Sequence, residues 1–120
     1  MPVLSIKTFR AEPGRQDELL ALLADARATM LRVDDRRTVR IFQANDDAPD
    51  AGTVSIMIEY ANMDEFREIR AKEQADPGWQ QIGERANGPG RPAETLSYFQ
   101  LHELTESLPT PTVAASRGFR

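Results

Sequence analysis

The chain has no cysteine, one histidine, one tryptophan and two tyrosines in 120 residues. Without cysteine there can be no disulfide, no thiol nucleophile and no thiolate metal ligand. A single histidine and the absence of a His-x-x-x-His spacing exclude the common zinc sites. No bound metal or haem is therefore expected, and no cofactor is called for. Gly-x-Gly-x-x-Gly and phosphate-loop patterns are missing as well. Ser5, Ser55 and Ser97 are scattered, and none sits in a nucleophile elbow. No apolar run is long enough to cross a bilayer, so no membrane partner is expected. The N-terminus, Met1 to Lys7, alternates like a short strand and makes a poor signal peptide. A cytoplasmic location is the simplest expectation, although a cysteine-free chain is also compatible with export. A basic surface is lacking too: the net charge is −4, which argues against a nucleic-acid partner.

What is present is the composition of one ordinary globular domain, with 28% charged and 40% hydrophobic residues. The most informative stretch is Thr53 to Phe66. Val54, Ile56, Ile58 and Tyr60 alternate with Thr53, Ser55, Met57 and Glu59, which predicts a strand. Asn62 followed by Glu65 and Phe66 then reads as a capping box that opens a helix.

Upstream, Val3 to Phe9 predicts a first strand, broken by Glu12-Pro13-Gly14-Arg15. Leu19, Leu22, Leu23, Ala26 and Met30 recur at helical spacing and predict a helix from about Arg15 to Leu31. Asp17 and Glu18 suit its first turn. Thr38 to Ala44 reads as a second strand, joined to the third by a polar link through Asn45 and Gly52. The second helix is expected over Met63 to Gln74. Asp76-Pro77 restarts a helix, with Asp as cap and Pro at its first position. Glu94 to Leu104 is the last strand. Residues 1–104 thus form the domain, and residues 105–120, rich in Pro, Ser and Thr, are expected as a flexible tail.

The order β-α-β-β-α-β predicts an α+β, ferredoxin-like fold. Its four-stranded antiparallel sheet has the order 4-1-3-2, with the helices on one face. The uncovered face is expected to carry Val3, Phe9, Met57, Phe99 and Leu101. So large an apolar patch calls for a second copy of the chain, packed sheet to sheet as a homodimer.

This element order, the Pro13-Gly14-Arg15 turn and the Asp76-Pro77-Gly78-Trp79 segment resemble the dimeric α+β barrel superfamily over roughly residues 3–104. Within it, the chain is most similar to the NIPSNAP family. The superfamily also holds antibiotic-biosynthesis-type monooxygenases, haem-degrading enzymes, polyketide cyclases and lactone isomerases. The resemblance implies a ligand cavity between the sheet and its helices, and several members need no metal or organic cofactor. The Asn, Trp and His that the haem-degrading members use are not matched. Strand one has no Asn, and the region around Trp79 has no His.

On this reading the expected activity is oxygenation or cyclisation of a small hydrophobic, oxygenated, aromatic polyketide-like ligand. The alternative is a non-catalytic NIPSNAP-like binding or interaction module. His102 is the candidate for proton transfer, because only its side chain ordinarily titrates near neutrality. By alternation it shares a strand face with Leu96, Tyr98, Gln100 and Leu104; the plainer reading is a partly exposed strand-end residue. Tyr60 is a second catalytic candidate and Tyr98 a substrate-binding one, since phenol hydroxyls can orient or protonate an oxygenated ligand. Ordinary packing would explain both. Trp79 could wall a ligand pocket or anchor the second helical segment to the sheet. Arg40 could stabilise an enolate or phenolate, or simply be solvated on an edge strand. Lys7 and Glu59 are expected as a cross-strand ion pair near the dimer interface.

Overall fold

A computed structural model describes residues 1–111. Four strands and three helices follow one another as β1 (Val3–Ala11), α1 (Gln16–Val33), β2 (Thr38–Gln43), β3 (Thr53–Tyr60), α2 (Met63–Ala75), α3 (Pro77–Asn87) and β4 (Ala93–His102). The sheet is antiparallel throughout, with the order β2-β3-β1-β4. This is the α+β, ferredoxin-like arrangement expected from the sequence. Of the expected tail, Thr105–Ser107 forms a short 3₁₀ turn, and residues 112–120 lie outside the described residues. Among the described residues, no helix is long and apolar enough to cross a membrane.

Local chemistry sets the element ends. Pro13 and Gly14 occupy the centre of a turn closed by the Arg15 N–H, which donates to the Glu12 carbonyl at 2.9 Å. Gly14 has φ +76°, the left-handed conformation that favours glycine at this place in a type II turn. Arg15 then reaches across to the loop before β4 and donates to the carbonyls of Gly90 and Arg91 at 2.8 and 2.9 Å. One turn thereby holds two connections together.

The caps on the second helical region form as the sequence predicts, with one difference. The Asn62 side chain accepts from the Glu65 N–H at 2.8 Å, but the Glu65 carboxylate makes no return bond, so the capping box is half closed. Asp76 caps α3 by accepting from the Trp79 N–H at 2.9 Å, with Pro77 at the first position. The same carboxylate takes a two-pronged bond from Arg32 of α1, at 2.7 and 3.1 Å. Gly78 makes room for it: a Cβ there would stand 2.7 Å from the Arg32 guanidinium. The Pro-Gly pair is therefore a docking point for α1 as well as a helix start.

Two layers form the core. Val3, Phe9, Val39, Val54, Ile56 and Ile58 point from the sheet towards the helices, where Leu19, Leu23, Met30, Phe66 and Ile69 meet them. This corrects two expectations. Val3 and Phe9 lie on the covered face, paired with Tyr60 and Val54 across β3, and not on the open one. Lys7 stands opposite Ile56 on the covered face, while Glu59 stands opposite Leu4 on the other, so the two cannot pair. The open face carries Leu4, Ile6, Phe42, Met57, Phe99 and Leu101, of which Phe42, Phe99 and Leu101 are the most exposed.

Arg32 is the main reason that the Asp76 carboxyl titrates below its usual range, with the Trp79 N–H adding to the effect. Its folded pKa is the lower one, so its contribution to stability is full above the unfolded value of about 3.9 and fades as the pH falls below it. Asp76→Asn is therefore expected to lower the melting temperature at neutral pH. The gap to the wild type should narrow in scans run below about pH 4.

Candidate functional site

The two halves of the sheet meet the helices differently. Behind β2 and β3, branched and aromatic side chains fill the layer. Behind β1 and β4 the sheet presents smaller groups, Ser5 and Thr95, while α1 and α3 pack against each other through Leu22, Ala26 and Ile82. A cavity of about 630 Å³ remains between them. Ser5, Lys7 and Phe9 of β1 and Thr95 and Tyr98 of β4 form its floor. Apolar side chains of α1 and α3 form its roof, and Phe66, Arg70, Glu73 and Gln74 of α2 close one side.

A bulge decides which residues of β4 reach this cavity. Thr8 pairs with Ser97, but Phe9 pairs with Thr95, so Leu96 is the extra residue. Tyr98 and Thr95 therefore both face the helices, although a regular strand would put them on opposite sides. Leu96 does not share the Tyr98 layer as the alternation predicts, and Leu104 lies beyond the strand end.

Tyr60, Tyr98 and Trp79 all line the cavity. Tyr60 is buried with its ring edge-on to Phe66, the centroids 5.0 Å apart. Its hydroxyl accepts from Arg37 at 3.2 Å. Burial pushes the Tyr60 phenol pKa up, against the pull of Arg37. Tyr98 is the contrary case. Partial burial pushes its phenol up, but hydrogen bonds from Ser5 and Arg70 outweigh this and bring it below the ordinary tyrosine value. Arg70 approaches the Tyr98 hydroxyl at 3.4 Å. Trp79 is half-buried and packs against both the main core and the smaller α1–α3 cluster, so it is at once an anchor and part of the cavity wall.

The other two candidates stand apart. His102 is on the cavity side of β4, opposite Val3, but at the exposed strand end and outside the cavity lining. Arg40 is on the open face of edge strand β2, opposite Met57, with its guanidinium 4.9 Å from the Phe42 ring centre. The sheet separates it from the cavity.

Three cavity features escaped the sequence reading. Lys7 is on the floor because its strand face is the opposite of the one expected. Arg70 and Glu73 lie one turn apart on α2, and a polar helix face looks solvated in a sequence. Behind Glu73 sits Arg37, fully buried, its guanidinium 2.6 Å from the Glu73 carboxylate and donating to the Met30 carbonyl at 2.8 Å. Among the described residues, no group of three or more acidic, His or Cys side chains is placed to hold a metal ion.

No protein-family model matches the chain. No curated protein matches it in sequence. Solved structures do. A NIPSNAP family protein from Agrobacterium tumefaciens aligns over 84% of this chain and 90% of its own, with 20% identity and a TM-score of 0.61. A NIPSNAP domain protein from Burkholderia xenovorans covers 84% and 93%, at 18% identity and a TM-score of 0.63. SnoaB, a cofactor-independent oxygenase from Streptomyces nogalater, covers 85% and 92%, at 13% identity and a TM-score of 0.64. The structural neighbours are thus NIPSNAP proteins and antibiotic-biosynthesis-monooxygenase-like proteins, as the sequence resemblance implies, and at these identities what is shared is the fold.

Removing Trp79 tests its double role. Trp79→Ala is expected to cost about 2–3 kcal/mol in denaturant unfolding, below the cost of a fully buried tryptophan because the ring is half-buried. His102→Ala should stay within about 0.5 kcal/mol, as for an exposed residue without buried partners.

Proposed function

We propose that this chain works as a homodimer on a small, hydrophobic, oxygenated compound of aromatic polyketide type, by oxygenation or cyclisation without a metal. The observation that carries this reading is the cavity. Its volume of about 630 Å³ falls within the range of small-molecule sites, and it combines apolar walls with a few convergent polar tips. A non-catalytic interaction module would have no need to keep this layer unfilled. The cofactor-independent oxygenase among the structural neighbours supports the enzymatic form.

The chemistry falls to Tyr98. Its phenol ionises more readily than usual and faces the cavity, so it is suited to take a proton from an acidic C–H or O–H of the ligand. The electron pair left on carbon has two outlets. It can add to dioxygen, and the resulting hydroperoxide loses water to leave a carbonyl. It can instead attack a carbonyl carbon of the same molecule, closing a ring before water leaves. Tyr60, held by Arg37, orients an oxygen of the ligand. Trp79 offers a flat wall for an aromatic ring. His102 lies outside the lining and has no role in this scheme.

The open sheet face supports the dimer. Phe42, Phe99 and Leu101 are each more than a third exposed beside Leu4, Ile6 and Met57. A second copy of the same sheet would cover them.

A thermal-shift screen with phenolic and polyketide compounds is expected to find ligands that raise the melting temperature by mass action. Tyr98→Phe should keep their binding and lose turnover; a screen without a single hit would remove the reading. Light scattering across the micromolar range is expected to give twice the chain mass, and a monomer mass throughout would remove the dimer.

A further inference from the structure

The charges around the cavity do not follow the net charge of the chain. Three of its lining residues are charged: Lys7 on the floor, and Arg70 and Glu73 on the α2 side. Glu73 is answered from behind by buried Arg37, at 2.6 Å. Among the described residues, neither Lys7 nor Arg70 has an acidic partner within salt-bridge distance, although seven other basic side chains of the fold do. An acidic protein therefore turns two unneutralised cations into this cavity.

Both cations converge on the same place. Lys7 stands directly across the strand pair from Tyr98, and Arg70 reaches the Tyr98 hydroxyl at 3.4 Å. Each also lies beside a ring, the Lys7 ammonium 5.6 Å from the Phe9 ring centre and the solvent-exposed Arg70 guanidinium 5.7 Å from that of Phe66. Ring faces attract cations but leave their hydrogen-bonding N–H groups free. An anionic oxygen placed at this end would be met by both cations.

We propose that the cavity takes a ligand with an apolar body and one carboxylate, or an equally acidic oxygen, at the end that meets Lys7 and Arg70. This deepens the reading of the cavity as a small-molecule site and rests on it. The body lies under α1 and α3, against Leu22, Ile82 and Trp79, where the lining is apolar. Arg70 offers a planar fork that fits two carboxylate oxygens, and Lys7 a compact point charge. The paired Glu73 sits on the same side, so an anion placed next to it is disfavoured and the ligand's charge is directed to the Lys7–Tyr98 end. A positively charged ligand would face two like charges at that end.

Trp79 is the only tryptophan and lines the cavity, so its emission reports occupancy without a label. Hydrocinnamate, hydrocinnamyl alcohol and phenylpropylamine share one body and differ in the terminal group. Titrated into the full chain with excitation at the red edge of the indole band, the acid is expected to bind about tenfold or more tighter than the alcohol, and the amine weakest. Lys7→Met and Arg70→Gln should each remove most of that preference and leave the alcohol's affinity unchanged, which also shows that the cavity is intact. Equal affinities of acid and alcohol in the wild type would overturn the proposal while leaving the cavity a ligand site. So would an acid preference that survives both substitutions. If none of the three probes perturbs Trp79, the ligand-site reading falls and this proposal falls with it.

Discussion

The guanidinium of Arg37 is the interaction on which much of the rest depends. It is completely buried and meets four elements at once. It donates to the Met30 carbonyl in the last turns of α1, stands at the entry to β2, bonds the Tyr60 hydroxyl at the end of β3, and pairs with Glu73 of α2. A buried cation is costly unless its neighbours supply charge and acceptors, so each partner is held where Arg37 needs it. Tyr60 and Glu73 are both cavity residues. The position of the site's inner edge is thus set by an ion pair lying behind it. Desolvation offsets much of the attraction in such a pair, so removing one partner costs more than the pair's net contribution to stability.

The cavity itself comes from a division of labour between the two halves of the second helical region. α2 stays with the main core through Phe66 and Ile69. After the break at Asp76-Pro77, α3 leans on α1 instead, tied there by Arg32 and by Ile82 against Leu22 and Ala26. A single uninterrupted helix would have a single direction and could not do both. The space left under α3 is floored by the short side chains of Ser5 and Thr95, and Thr95 is there only because Leu96 bulges out of the ladder.

Signals that are local in the chain were legible in the sequence. The alternation of Val54 to Tyr60, the helical spacing from Leu19 to Met30, the Asn62 and Asp76 caps and the Pro13-Gly14 turn all depend on near neighbours, and all appear in the fold. The strand order followed from element order. The assignment of strand faces was less secure. Val3 and Phe9 are indistinguishable in sequence from residues meant for an interface, and one reversed face sent Lys7 to the wrong side. Leu96 shows the same limit: a bulge shifts the alternation without any glycine or proline to announce it. Arg37 left no local signal, since an arginine next to Asp34, Asp35 and Arg36 reads as part of a solvated charge run. Tyr60, Tyr98 and Trp79, singled out in the sequence as aromatic groups, do line the cavity, although Tyr98 stays exposed there.

The position of β1 has a consequence for the growing chain. β1 is made first, yet it is an inner strand, and one of its two neighbours, β4, is made last. While the polypeptide is being synthesised, β2, β3 and β1 can pair, but the far edge of β1 stays open until residue 102 has been added. Over that interval the strand exposes unpaired N–H and C=O groups beside the apolar Leu4 and Ile6, the combination that invites pairing with other chains. The nascent domain is therefore most vulnerable to aggregation until β4 has been added, and the closure that ends the danger is the same event that lays Tyr98 and Thr95 into the cavity floor.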